Sequence, residues 1–272
     1  MTPRARGLLL ALVLFASPLS AQESSPALDS LRARWRIPVP EETSRLDGGF
    51  RSAPAMGANS PTAWGAAWGD VFVAASYTSR CRFCELPDGA VGFGFGLGNP
   101  AKTVGLEVDV ISFSTERTGW FKYAGVDFKL HRLLPGNFAV AAGWEAAILK
   151  GLTDGGSSKY VAVSKWIPLA DHDAAPLSAL TLSAGAGNGR FRSQQAWAEN
   201  RKTINAFGSV AVRALAPVSL IADWTGQDLA LAMSLAPLRK VDVVLTPAFV
   251  DVTGSAGDGA RFVLSGSLGL HF

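Results

Sequence analysis

The stretch "TVGLEVDVISFS" (residues 103–114) alternates almost without error. Val104, Leu106, Val108 and Val110 fall on one parity, and Gly105, Glu107 and Asp109 on the other. Successive side chains of a β-strand point to opposite faces, so such a segment meets an apolar medium on one side and a polar one on the other. Roughly twelve segments of this kind recur from residue 70 onward, separated by turn residues. After the amino-terminal segment, no uninterrupted apolar run approaches the ~18 residues that a spanning helix needs. Yet 48% of residues are hydrophobic and only 17% charged, and mean hydropathy is positive, too apolar for an ordinary secreted enzyme. The one other structure that satisfies every backbone hydrogen bond inside hydrocarbon is a closed barrel. The expected fold is therefore all-β: an up-and-down antiparallel transmembrane β-barrel of about twelve strands over residues 70–272.

The strand set includes "DVFVAASYTS" (70–79), "AVGFGFGLG" (90–98), "WFKYAGVDFKLH" (120–131), "VSLIADW" (218–224) and "ARFVLSGSLGLHF" (260–272). Every second connection is largely tight, as with "NPAK" (99–102), "LAPV" (215–218) and "PLRK" (237–240), with "IPLADHDAAP" (167–176) the exception; the alternate set is longer, as with "RFRSQQAWAENRK" (190–202), except for "TGQ" (225–227). Short periplasmic turns and longer outer loops give that pattern. Trp120, Trp166, Trp224 and Phe272 lie near strand ends, where aromatic girdles sit. Ahead of the barrel, "MTPRARGLLLALVLFASPLSA" (1–21) has two arginines before an apolar run and small residues after it, the form of a secretory signal peptide. Residues 22–69 break the strand pattern. They are expected as a periplasmic amino-terminal segment: Leu28, Leu31 and Trp35 are at helical spacing, so residues 26–40 form a short helix in the periplasm or tuck into the lumen, and the remainder is an irregular lead-in.

The last strand alternates Phe262, Leu264, Leu268, Leu270 and Phe272 against Ser265, Ser267 and His271. It resembles the carboxy-terminal assembly signal of Gram-negative outer-membrane proteins, which implies outer-membrane lipid and the barrel assembly machinery as partners. Residues 60–77, 91–110, 222–237 and 251–262 are similar to an uncharacterised, cyanobacterial-type family of outer-membrane barrels. That family carries no established reaction, so the resemblance implies the fold and the outer membrane and leaves activity open.

The polar parity supplies the candidate site. Glu107, Asp109, Asp127, Lys129, Glu145, Arg213, Asp223 and Asp242 are expected to line the lumen. They either pair across it and hold the barrel rigid, or border an aqueous path that weakly favours cations, with six acids against two bases. Cys81 and Cys84 of "CRFC" are expected as a small loop disulfide or as free thiols; zinc needs a second pair. None of His131, His172 and His271 has a serine two residues on, so no catalytic residue, metal or cofactor is expected. "DVTGSAGDG" (251–259) lacks the closing glutamate of a calcium loop and reads as a hairpin. A net charge of +3 includes Arg4 and Arg6 and decides no partner; no nucleic acid is expected. The leading expectation is a porin-like passive channel. The alternatives are a structural or interaction protein acting through its outer loops, and, ranked last, a lipid-modifying barrel enzyme.

Overall fold

The computed structural model describes residues 53–82, 85–114, 121–151, 156–172, 175–238, 240–256 and 259–272. The expected leader and the helical spacing around Trp35 lie outside these residues. Twelve strands run in chain order: β1 Asp70–Thr78, β2 Asp88–Gly98, β3 Gly105–Ser112, β4 Ala124–Leu134, β5 Phe138–Lys150 and β6 Ser158–Pro168 form the first half. β7 Ala179–Gly187, β8 Asn205–Leu215, β9 Val218–Trp224, β10 Leu229–Leu235, β11 Asp242–Val250 and β12 Arg261–His271 complete it. Each strand pairs antiparallel with its sequence neighbours, and β1 pairs with β12 from Asp70↔His271 to Thr78↔Val263, so the sheet closes on itself. Closure leaves no unpaired edge.

The alternation read from the sequence becomes two surfaces. On β6, Ser158, Tyr160, Ala162 and Ser164 are buried, while Lys159, Val161 and Val163 are exposed. On β9, Ser219, Ile221 and Asp223 are buried, against exposed Leu220 and Trp224. The molecule is thus inverted relative to a water-soluble core: Phe93, Leu130, Val140, Ile148, Val210, Leu231, Phe249 and Leu264 face outward, whereas serines, threonines and ionisable groups face in. Trp224 and Phe272 sit on the outward surface. Trp166 does not: its partner across β7 is buried Thr181, which places it on the inward parity and out of any girdle. Trp120 lies outside the described residues.

Two irregularities have local causes. Pro247 in β11 has no N–H to donate, and the β10–β11 pairing skips from Ala232↔Ala248 to Leu235↔Leu245 around it. On β5, the register shifts between Val126 and Phe128 of the neighbouring β4. Ala146 takes a left-handed φ of 47° there, and its N–H donates to Asp127 Oδ1 at 2.6 Å.

The connections confirm two ends of different character. The end that carries Asp70 and His271 has tight turns at 135–137 and 216–217, with a longer one at 169–178. The opposite end, hereafter the loop end, carries the long segments 79–87, 113–123 and 188–204. The last of these holds a 3-10 turn, Gly189–Phe191, and a short helix α1, Gln194–Ala198, whose first turn is capped by Ser193 Oγ accepting from the Ala196 N–H.

Candidate functional site

Residues 54–68 enter the barrel from the terminus end, turn back inside it and leave to begin β1. The path is fixed by hydrogen bonds to inward-facing strand residues. Near the entry, the Ala55 N–H donates to Ser234 Oγ at 2.8 Å. Farther in, Ser209 Oγ reaches the Met56 carbonyl at 3.4 Å. At the tip, the N–H groups of Ala58, Asn59 and Ser60 all donate to the Asp223 carboxylate at 2.9–3.0 Å, and the Ser60 hydroxyl approaches it at 2.5 Å. On the way out, Ala63 N–H donates to Ser164 Oγ at 2.9 Å and Ala66 N–H to Glu107 Oε2 at 2.6 Å. His131 Nε2 donates to the Ala66 carbonyl at 2.9 Å, which fixes that nitrogen as the protonated one. Trp68 then bridges to Gly96. A side chain at Gly96 would collide with the Ala66–Ala67 backbone, so only glycine lets the loop lie so close to β2. Residues 54–68, expected as part of an irregular lead-in ahead of the barrel, occupy its interior instead.

The inserted loop fills one side of the lumen together with the 188–204 segment. Phe191 is fully buried and stacks on Phe207 with ring centroids 4.5 Å apart, and Tyr160 meets both edge-on at 5.8 and 6.0 Å. Ala63 and Trp64 of the loop pack against these rings and against Ala139, Ala141 and Ala162 of the wall. Glycines at 143, 185 and 187 make the room: a Cβ at any of them would strike Tyr160, Phe207 or Phe191. Arg190 binds both oxygens of Glu145, at 2.5 and 2.8 Å, and donates to the Asn59 carbonyl at 3.0 Å. The loop tip is thus held from two sides, by Asp223 and by Arg190.

The eight sequence-predicted lumen residues all lie on the inward parity, but most do not face an open bore. Glu107 holds Lys129 at 2.8 Å as well as the loop. Asp127 caps the bulge at Ala146, Glu145 carries Arg190, and Asp223 clasps the tip. Arg213 is buried and Asp242 half-buried beside Gly269 near the terminus end. Asp109 is different, since its Oδ1 is buried without a hydrogen-bond partner among the described residues. Sequence reasoning missed the partners of these groups. It also read 190–202 as a surface loop, whereas Arg190 and Phe191 turn inward; a basic residue followed by an aromatic at the head of that loop was the available signal.

Along β11, β12, β1, β2 and β3 the lumen stays open. A cavity of about 460 Å³ runs between the inserted loop and a wall of Ala74, Ala90, Gly92, Thr246, Ser265 and Ser267, with Glu107 and Asp109 deeper in. A second cavity of about 490 Å³ adjoins it toward the loop end and shares Ala58, Ser76, Ala90, Thr246 and Ser265 as walls. Small side chains on these strands leave the space that aromatics fill on the opposite side. Together the cavities form a corridor beside the loop.

Cys81, at the loop-end rim, is disulfide-bonded; Cys84 lies outside the described residues. In the β11–β12 connection, Asp251 accepts from the Ala256 N–H at 3.0 Å, a local turn contact. No cluster of three metal-binding side chains occurs among the described residues. The carboxy-terminal apolar set Phe262, Leu264, Leu268, Leu270 and Phe272 shares the outward parity of β12, with Leu270 and Phe272 the most exposed. Compared with models of protein families and with curated proteins, the chain matches no family model and no curated protein.

Proposed function

We propose that the chain is an outer-membrane β-barrel that passes small solutes through the corridor between its wall and the inserted loop. The observation that carries the reading is the corridor itself: two adjoining cavities that share Ala58, Ser76, Ala90, Thr246 and Ser265 as walls and run beside the inserted loop. An open bore of twelve strands would admit anything of its width, because diameter grows with strand number. Half-filling that bore narrows it to the scale of single solutes. The function is thus that of a porin-like passive channel with a built-in constriction.

Membrane placement belongs to the same proposal and is supported by the outward surface. A barrel that exposes Val161, Val163, Leu220, Leu231 and Phe249 around its waist has more apolar area than water tolerates. On β6 this band is bracketed by Lys159, whose ammonium lies 4.3 Å from the Trp144 ring centroid, and Lys165, 4.2 Å from that of Phe138. Long cations laid over aromatic rings are suited to the two interfaces of a bilayer. Kinship with the uncharacterised outer-membrane barrel family that the sequence resembles, export by the amino-terminal leader, and recognition of the last strand by the assembly machinery complete the proposal. Partner binding through the 190–202 loop gains nothing from the geometry, because Arg190 and Phe191 are committed to the interior.

The test is planar-bilayer recording of the refolded full chain. The expected result is small, steady single-channel steps, well below those of an unobstructed barrel of this size. A folded, inserted protein that never conducts overturns the channel.

A further inference from the structure

Among the described residues, the seam between β10 and β11 has the shortest ladder of the barrel. It pairs at Leu231↔Phe249, Ala232↔Ala248 and Leu235↔Leu245. By contrast, β10 pairs with β9 without a break from Leu229↔Trp224 to Leu235↔Val218, and β11 with β12 from Asp242↔Gly269 to Val250↔Arg261. The register is the same on both sides of the gap, which sets Met233 opposite Pro247. The lost rung is therefore the one that the missing proline N–H would have formed, and no bulge is involved. Two side chains span the seam there on the inner face: Thr246 Oγ1 donates to Ser234 Oγ at 2.9 Å. The same Ser234 oxygen accepts the Ala55 N–H at 2.8 Å, so the inserted loop braces the seam from within.

The wall beside this gap is apolar on both faces. Outside stand Leu231, Met233, Leu245 and Phe249. Inside, Ala230, Ala248 and Val250 form a buried cluster with Ala232 and Val263 packed against it. Ala248, Val250 and Val263 also line the cavity of about 490 Å³, and Val244 that of about 460 Å³, so the corridor reaches the seam along β11. Inside hydrocarbon, parting two strands exposes backbone groups that nothing else satisfies. Parting therefore occurs first where the fewest rungs must break, and here an alkyl chain meets apolar side chains on either side of the wall.

We propose that the β10–β11 seam is a lateral opening through which the corridor exchanges single-chain amphiphiles, molecules with one alkyl chain and a small polar head, with the surrounding hydrocarbon. This rests on the corridor and the membrane placement of the channel reading, and it names the solute class and the exit. The two cavities, at about 490 and 460 Å³, fall in the lower part of the ~300–1,000 Å³ range of sites that enclose one small molecule. That size suits one chain and not a two-chain lipid. The Ser76, Thr246 and Ser265 hydroxyls receive the head, and the patch of Ala248, Val250 and Val263 receives the chain. Parting the seam breaks the Thr246–Ser234 hydrogen bond and leaves Ser234 with the loop.

The test places a bimane fluorophore at Ser265→Cys, inside the corridor, or at Leu264→Cys, on the outer face, in the full chain reconstituted in phospholipid vesicles. The quencher is a fatty acid with a nitroxide on its chain, dissolved in the bilayer. The expected result is quenching at both positions by this single-chain probe, and at 264 alone by a two-chain phospholipid that carries the same nitroxide. Pro247→Val returns one backbone hydrogen bond to the seam and should weaken the quenching at 265 about tenfold, the upper range for one such bond. A disulfide between Met233→Cys and Pro247→Cys should abolish it until reduced, with the unaltered seam under the same reductant as the control. Either alteration carries the test if the other fails to fold. Quenching at 265 that persists with the seam locked, or that is absent while 264 is quenched, overturns the opening. The proposals separate cleanly: seam-dependent quenching in a protein that never conducts refutes the channel alone, and conduction without quenching at 265 refutes the opening alone. No quenching at 264 puts the outer face outside hydrocarbon and overturns both.

Discussion

Asp223 gathers three backbone N–H groups and a hydroxyl on one fully buried carboxylate. An ionised carboxylate has about four acceptor sites, so this group is nearly saturated by the loop tip. Its replacement by asparagine puts an NH2 against donors that need an acceptor, and each donor left unsatisfied costs about 1–3 kcal/mol. Asp223→Asn is therefore expected to detach the tip at residues 58–60 and to raise single-channel conductance severalfold, with the barrel intact by circular dichroism. Unchanged conductance in a folded variant means that the tip does not limit the path. The inward direction of Asp223 was legible in the sequence, because Leu220, Ala222 and Trp224 alternate against it. Its partners were not legible. They are main-chain groups of Ala58, Asn59 and Ser60, and main-chain donors leave no trace in residue type.

Among the elements, the strands were the most legible. β9 matches the segment read from the sequence, and β12 differs by one residue at each end. A residue on a barrel strand faces either the outer surface or the lumen and little else, so period two survives without interference. β4 fared less well: it runs Ala124–Leu134 instead of 120–131, because Arg132 and Leu134 continue the pairing past the histidine that was read as its end. The irregular elements were illegible, since the inserted loop and the 188–204 segment are shaped by the space the strands leave. Phe191 occupies the room opened by Gly187, and Phe207 that opened by Gly185. Gly185→Val should accordingly overpack the Tyr160–Phe191–Phe207 cluster, at about 1–3 kcal/mol. The heat-modifiable shift on electrophoresis should then occur several degrees lower. A valine at Ala184, whose side chain faces outward on the same strand, is the comparison expected to leave the transition in place.

At the scale of the molecule, inward polarity and outward apolarity make a claim about solvent. In water, an exposed valine at mid-strand accepts an arginine with little cost, because surface substitutions usually change stability by under about 0.5 kcal/mol. In a bilayer, arginine on the lipid face of a barrel costs about 2–4 kcal/mol near the midplane and about 0–1 kcal/mol near the interfaces. Val163 lies midway along β6 and is 42% exposed; Leu169, just past the end of the same strand, is 55% exposed. The two positions are similarly open to the surroundings and differ chiefly in depth. Val163→Arg is therefore expected to destabilise the barrel by about 2–4 kcal/mol in lipid vesicles, read from reversible denaturant unfolding, and Leu169→Arg by about 1 kcal/mol or less. Equal and small effects at both positions mean that the apolar band does not meet hydrocarbon, and the channel then loses the membrane it is proposed to cross.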